Sequence, residues 1–438
     1  MPEQVVEPRA RLAYVLGQFP SVSETFILRE MRAVQNLGFD ITPLSMEAGA
    51  EPVHRSARAL AERTVYRPSP LSWPALASLF AAFLLKPFGC VSALRLVLSH
   101  GLRNPGASKE LLSAYSAACY FVASIPPGQM RHIHAHFATY PATVGLLLAE
   151  ILGVGFSMSC HARDIFTDTA KLLALKISEA EFVTVCTEYG AERLQRKYSP
   201  LNSEKLHVIR HGLDFADFRV GPHQDHHVPL IVSVGRLVEK KGFPILLRAA
   251  AMLAAEGIDF ELAIVGEGPQ REELEQLING LALAKRVHLP GYLPEQELMA
   301  VYRRADVFAL TPIVAADGDR DGLPNAIIEA MAAGIPVVAS DVGAVGELVI
   351  HEETGLLAQP GDVAEIARYL ERALIDQPLR EHIAASALRR VERDYDVNRN
   401  SRELGALFAE ILKLRQWPPA ASSRGTMPSR RHGDVELE

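Results

Sequence analysis

Short continuous apolar runs alternate with longer amphipathic stretches along this chain, and the alternation occurs twice. Residues 11–19, RLAYVLGQF, read as a strand ending at Gly17, and Phe19-Pro20-Ser21 as a turn. Ser23-Glu24-Thr25 then opens a helix that Gly38 closes, and Phe39–Thr42 reads as a second strand. Strand, turn, helix, strand is the start of a parallel α/β unit. Such sheets bind ligands at the carboxyl ends of their strands, so Gly17, Ser23, Glu24 and Thr25 are site candidates. A helix N-cap would use Ser or Thr equally well. The pattern continues with a helix near 107–123, a strand at His132–Phe137 and a helix over ATYPATVGLLLAEILG. A short strand then delivers His161 to its C-terminal end, and FVTVCTEYGAERLQRKY and KLHVIRHGLD add further strands and a helix. RVGPHQDHHVP (219–229) is polar, holds two prolines and has no period, so it reads as a linker.

The second half restarts the alternation. Strands are expected at 230–235, 260–265, 287–291, 306–310 and 336–340, with a short edge element at Thr354–Leu357. Helices are expected near 362–376, 378–393 and 398–415, and the tail 417–438 has no period and reads as disordered. The expected architecture is therefore α/β: residues 1–218 form one Rossmann-like domain and 230–395 a second. Residues 396–416 form a helix returning to the first.

Three chemical features stand out on this frame. DGDRDGLPNAIIEAMAAGIPVVASD (317–341) carries Asp321 and Glu329 eight positions apart, around a Gly322-Leu323-Pro324-Asn325 turn that opens a helix. Unpaired N–H groups and the positive end of a helix dipole suit an anion there, and the flanking acids suit hydroxyls. That points to a phosphorylated polyol; the alternative is a polar helix start with a solvated Glu. Arg236 and Lys241 follow a strand and precede a helix, again a setting for phosphate. His132, His134 and His136 alternate onto one side of a strand, which suggests metal, but no carboxylate stands near them in sequence. The expectation is that one or two, His136 among them, line a cleft, and that no metal is bound.

Composition changes the picture little. The 438 residues suit two domains, with 48% hydrophobic residues and 22% charged ones. A net charge of −7 argues against a nucleic-acid binder. Charge is uneven: 21 Lys+Arg against 19 Asp+Glu up to Phe218, then 24 against 33. The more basic first half could face an anionic substrate or membrane, or reflect ordinary scatter. Four cysteines match no metal or redox spacing, and MPEQVVEPRA lacks an apolar core, so a cytoplasmic location is expected. Residues 73–103 are mostly apolar with Lys86, Arg95 and Arg103 interspersed. The first run is too short to span a bilayer, leaving a buried helical pair or an amphipathic hairpin at a membrane interface.

Two similar α/β domains, a linker near 220 and a long C-terminal helix resemble the GT-B glycosyltransferases. VGRLVEKKG (234–242), VGEGP (265–269) and DGLPNAIIEAMAAGIPVVASDVGAVGEL (321–348) narrow this to the large retaining family that uses nucleotide-diphosphate sugars. GQFPSVSETF, HIHAHFA and CHARDIF are similar to its branch for exopolysaccharides such as colanic acid. The resemblance implies transfer from a UDP- or GDP-sugar to a glycan or lipid-linked acceptor, with retention at the anomeric carbon. No cofactor is expected, and no metal, because the Arg236–Lys241 cation pair removes the need for one; 73–103 and the lipid-linked acceptors typical of that branch place the cytoplasmic protein at the inner face of the membrane as an expectation. By motif, Arg236 and Lys241 hold the diphosphate and Glu329 the ribose. Asp321 with the backbone of Gly322, Leu323 and Pro324, beside Asn325, holds sugar and phosphate, and His161 faces the sugar. Gly266 and Gly268 fall on the donor side, and Gly291, Tyr292, Leu293 and Pro294 near the base. Two features depart from the family: Asp321 replaces the usual Glu, and Ser23-Glu24-Thr25 replaces a common glycine pair. Ser23 or Thr25 could substitute there while Glu24 meets the acceptor. A nucleotide-sugar epimerase and a non-catalytic sugar-binding subunit are the rival functions.

Overall fold

The computed structural model describes residues 10–21, 24–49, 57–70, 72–126, 128–167, 169–198, 203–218 and 227–414. The Ser23 candidate, most of the expected linker and the 417–438 tail lie outside them.

The first half forms β1 (Arg11–Phe19), α1 (Thr25–Asn36), β2 (Asp40–Ala48), α2 (Arg58–Ala61) and β3 (Val65–Tyr66). It continues with α3 (Trp73–Leu85), α4 (Pro87–Arg103), α5 (Pro105–Ser124), β4 (His132–His136), α6 (Tyr140–Leu152) and β5 (Gly155–Cys160). α7 (Ala162–Phe166), α8 (Leu173–Glu179), β6 (Val183–Val185), α9 (Glu188–Lys197) and β7 (Leu206–Val208) complete it. The seven strands make one parallel sheet in the order β3-β2-β1-β4-β5-β6-β7. The order reverses between β1 and β4, so the loops after these two strands diverge and leave a crevice at the carboxyl edge. β1 does not end at Gly17: pairing with β2 continues through Phe19↔Ala48, and Gly17 sits inside the strand. A parallel neighbour supplies backbone partners past a glycine that the apolar pattern alone reads as a break.

The second half forms β8 (Leu230–Val234), α10 (Phe243–Ala255), β9 (Glu261–Val265), α11 (Arg271–Gly280), β10 (Val287–Gly291), α12 (Glu295–Arg304) and β11 (Val307–Leu310). α13 (Asn325–Ala332), β12 (Val337–Ser340), α14 (Val345–Leu348), β13 (Leu356–Ala358), α15 (Val363–Ile375), α16 (Gln377–Asp394) and α17 (Val397–Ile411) follow. Its parallel sheet runs β10-β9-β8-β11-β12-β13, with the reversal between β8 and β11. Both strands flanking that reversal are buried almost throughout, as expected of a sheet covered on both faces.

The chain crosses between the halves twice, and the crossings lie side by side. Leu213 N–H donates to Tyr395 O at 2.7 Å, and Val397 N–H to Leu213 O at 3.0 Å. α17 then packs on the first domain, where Phe408 meets the rings of Tyr14, Phe39 and Phe182. The region 73–103 departs from a buried pair. α3 and α4 bend by 119° at Lys86 and bury only small or short side chains such as Ala75, Ala82, Cys90 and Ala93. No described helix is by itself long and apolar enough to cross a membrane.

Candidate active site

On the first domain, β5 ends at Cys160 and presents His161 at the start of α7. Its ring packs among those of Phe26, Phe137, His136 and His211. Behind it runs a polar chain. Glu30 Oε1 lies 3.1 Å from His136 Nε2, and His136 Nδ1 lies 3.3 Å from His161 Nε2. With the Glu30 carboxylate as acceptor, His136 carries its proton on Nε2 and its Nδ1 accepts from His161. Tyr14 Oη adds a second donor to Glu30 at 3.2 Å. Burial, reinforced by His211, His136 and His134, holds the His161 pKa well below its ordinary value, so the ring is neutral. Asp164 Oδ2 fixes the loop by accepting from the His161 and Ala138 N–H groups, both at 2.9 Å.

This arrangement corrects two expectations about the histidines. None of the three on β4 lines an open cleft: all are buried, and His136 stands behind His161. A carboxylate does accompany them, because α1 brings Glu30 across from a hundred residues upstream. Glu30, His134 and His136 lie close enough to hold a metal ion, as do His161, Cys186 and His211. In the first group the nitrogens are already committed: His134 to Ser157 and Ser159, His136 to Glu30 and His161. In the second, burial pushes the Cys186 thiol up to about 12.

Glu24 sits at the mouth of α1, ahead of Thr25. Burial pushes its carboxyl up to about 7, against the pull of His136 and Arg236 and with Asp164 adding to the rise. The native state therefore keeps a proton that the unfolded chain loses near 4.5, and stability falls as pH rises through that window. Glu24→Gln removes this cost. Its Tm should exceed the wild type's at pH 8, at about 2–4 °C per kcal/mol relieved, and the gap should close below pH 4.5. An equal or lower Tm at pH 8 would show that Glu24 makes a compensating charged contact.

On the second domain, the loops after β8 and β11 meet. Lys241, in a 3-10 turn at Glu239–Lys241, places Nζ 2.6 Å from Asp321 Oδ2. Lys240 Nζ lies 3.2 Å from Asp319 and 3.4 Å from Asp321. Burial would raise the Asp321 pKa, but the two lysines outweigh it and hold the carboxyl below its ordinary range. Arg236 is exposed and makes no ion pair among the described residues. Gly322, Leu323 and Pro324 lead into α13, whose first residue is Asn325. Asn325 Oδ1 lies 3.3 Å from His211 Nδ1 on the opposite domain.

The glycines here serve the loops as well as any ligand. A Cβ on Gly266 (φ +145°) would stand 2.0 Å from Gly235 O, and one on Gly268 2.4 Å from Leu237 O. VGEGP thus packs its backbone directly on the VGRL loop. Gly242 has φ +66°, and its Cβ would stand 1.8 Å from Thr311 O. Gly242→Ala should destabilise by on the order of 3 kcal/mol or more, since a left-handed conformation and a backbone clash coincide. Urea unfolding checks this, and a midpoint unchanged from wild type would refute it. Gly291 closes β10, and Tyr292 after it is exposed while Leu293 is half-buried.

Contacts join the two edges. Arg29 of α1 reaches Glu329 of α13 at 3.1 Å. Burial raises the Glu329 pKa, opposed by Arg29. Glu347 accepts from the Tyr189 and Glu188 N–H groups at 2.7 and 3.2 Å, a carboxylate on the start of α9. Arg320 lies over the Phe166 ring at 5.4 Å. The structure therefore gathers Glu24, Thr25, His161, Lys241, Asp321, Asn325 and Glu329 at one interdomain crevice, with Arg236 close enough to act on Glu24 and His136 buried behind His161. Gly17 remains inside its strand. Arg29, Glu30 and Lys240 were not legible as site residues. Nor was His211, although it follows the end of β7 at Val208 by three residues.

Comparison with known proteins supplies the context. Residues 215–390 match the family Glycosyl transferases group 1. The chain is 30% identical over 421 residues to the amylovoran biosynthesis glycosyltransferase AmsK of Erwinia amylovora, covering 92% of this chain and 99% of that protein. It is 29% identical over 427 residues to WcaL of Escherichia coli K12, a protein assigned to colanic acid biosynthesis as a glycosyltransferase, covering 92% and 100%. Among solved structures, HepE of Anabaena in complex with UDP and glucose superposes with a TM-score of 0.64 at 18% identity, covering 92% and 100%.

Proposed function

The chain belongs to the group 1 glycosyltransferases and is a glycosyltransferase of the exopolysaccharide type; from that premise we propose that it takes a nucleotide-diphosphate sugar and transfers the sugar with retention of anomeric configuration. Membership displaces the epimerase and non-catalytic alternatives. The observation that carries the proposal is the meeting of Arg236, Lys240, Lys241 and Asp321 at the switch point of the second sheet, opposite His161 and Glu24.

In this reading the donor lies mainly on the second domain. Arg236 and Lys241 take the diphosphate, and α13 offers its N-terminal N–H groups beside Gly322, Leu323 and Pro324. Glu329 binds the ribose hydroxyls, releasing or sharing Arg29. Gly291, Tyr292 and Leu293 border the base, and the Gly266–Gly268 loop supports the β8 loop that carries the cations. His161, neutral and oriented by His136, faces the sugar. As the glycosidic bond breaks, negative charge grows on the leaving diphosphate, and fixed cations stabilise it where it develops. These lysines and Arg236 supply the charge a divalent metal would otherwise bring, so transfer should persist in a chelator. The acceptor hydroxyl attacks from the leaving-group face and passes its proton to a phosphate oxygen, while Glu24 and Thr25 hold the acceptor. Closure through Arg29–Glu329 and Glu347 limits hydrolysis by water. UDP is favoured as the nucleotide by HepE, whose structure holds UDP and glucose. A lipid-linked saccharide is the favoured acceptor, in keeping with the exopolysaccharide relatives.

The test is transfer from a panel of UDP- and GDP-sugars to saccharide acceptors, with NMR of the new linkage. An α-donor giving an α-product supports the proposal. A β-product would overturn retention, and altered sugar without transfer would revive the epimerase.

A further inference from the structure

The bent helix pair α3–α4 carries a surface that neither the fold nor the site uses. Ten of the fifteen large apolar side chains that are exposed among the described residues lie within 73–103. Phe88 is 90% exposed, Leu102 83%, Trp73 79% and Phe80 70%. The exposed side chains recur at helical spacing on each helix, at 73, 76, 80 and 83 and at 88, 91, 98 and 102, and such a concentration of exposed apolar residues marks an interaction site. From Pro68 to Lys109 the chain contains no Asp or Glu, but it holds Lys86, Arg95, Arg103 and Lys109. The acids packed nearest are engaged: Glu150 accepts from Ser92, and Glu110 from Thr143 at 2.8 Å.

We propose that α3 and α4 dock the protein on an anionic lipid leaflet, lying in the interface with Trp73, Phe80 and Phe88 inserted and the basic side chains at the headgroups. Neither helix is by itself long and apolar enough to span. At about 1.5 Å per residue α3 reaches about 20 Å, short of the roughly 30 Å hydrocarbon core. α4 carries Arg95 midway and turns 119° from α3. α3 is apolar nearly all round with Trp73 at its start, and the cations, without acids, lie at Lys86 and on α4; Trp and Lys or Arg are the residues that favour the boundary of a membrane. Charge also selects this occupant over a second copy. A two-fold contact would set like-charged Arg and Lys residues against each other, whereas an anionic leaflet neutralises them. Lys171, downstream of α7, donates to Gly106 O in the first turn of α5 at 2.8 Å, which ties the loop after α7 to the end of the pair. The docking itself stands on the patch; only its purpose, reaching a lipid-linked acceptor, rests on the proposed function.

The experiment is co-sedimentation of the full chain with vesicles of phosphatidylcholine alone or mixed with phosphatidylglycerol, at about 0.05 M and about 0.5 M salt. The wild type should bind the anionic vesicles at low salt with a blue shift of tryptophan emission, and lose most binding at high salt. F80S/F88S should weaken partitioning by at least about tenfold, and R95Q/R103Q should weaken binding to anionic vesicles selectively. Both variants should keep the wild-type thermal shift with nucleotide sugar, which shows they are folded. Absence of binding to anionic vesicles, or binding unchanged in F80S/F88S, overturns the proposal. A dimer that F80S/F88S abolishes, without vesicle binding, assigns the face to a second copy and also overturns it. Vesicle binding without any nucleotide-sugar response leaves the docking standing and removes the donor reading instead.

Discussion

Replacing Lys241 with Ala is expected to lower the rate of transfer at saturating donor by a factor of about 10²–10³. The reason is where charge develops. Binding the ground-state diphosphate lowers KM, but only an interaction that strengthens as the bond breaks raises kcat. Lys241 is placed for this by a tight turn and held by Asp321 at 2.6 Å, so little reorganisation is needed when charge arrives. The neighbouring Lys240 pairs mainly with Asp319 and remains in the variant, which keeps the residual rate above background. Lys240→Ala should therefore cost less than Lys241→Ala. Steady-state kinetics at saturating donor checks both, and equal kcat in wild type and Lys241→Ala would remove Lys241 from the reaction.

The second large effect is expected at Asp321, where the neutral amide and the longer acid should diverge. Asp321→Asn leaves Lys240 and Lys241 without their shared carboxylate. Displacement of a catalytic group by about 1 Å can cost on the order of 10²-fold, and a loss of that size in kcat is expected here. Asp321→Glu restores the residue usual in the resembling family and keeps the charge, so its activity should equal or exceed the wild type. The backbone limits how far the loop can yield. Ala344 N–H donates to Gly322 O at 2.7 Å, and Gly343 approaches Asp321 O so closely that a Cβ would stand 2.2 Å away. Substantial activity in Asp321→Asn, or none in Asp321→Glu, would mean that the carboxylate serves the loop and not the cations.

The parts of this account that were legible in the sequence are those fixed by local pattern. Leu230–Val234 and Val337–Ser340 are continuous apolar runs bounded by polar turns, and such runs in a parallel sheet have no other place to go than its buried centre. Lys241 and Asp321 stood out because each lies between a strand and the helix that follows it, where a parallel sheet exposes function, and Glu329 because it lies eight positions past Asp321 in the helix that opens there. The rest depends on contacts between distant segments. Arg29 and Glu329 are 300 residues apart. Glu30 and His136 are 106 apart. Neither pairing leaves a trace in the spacing of residues, so the histidine strand seemed to lack an acid. Gly17 misled for a related reason, since only the partner strand β2 carries β1 onward. In 73–103 the apolar content was plain, but composition could not say which side chains α5 and α6 would leave uncovered.

The central claim is that a nucleotide-diphosphate sugar binds the crevice with its diphosphate on Arg236 and Lys241. Calorimetric titration of UDP-, GDP- and ADP-sugars into the wild type, Arg236→Ala and Lys241→Ala addresses it most directly. The account predicts saturable binding of one nucleotide class, weakened about 10- to 100-fold in each variant by loss of a charge-assisted hydrogen bond. Binding of none of the three, or equal affinity in all three proteins, would contradict it.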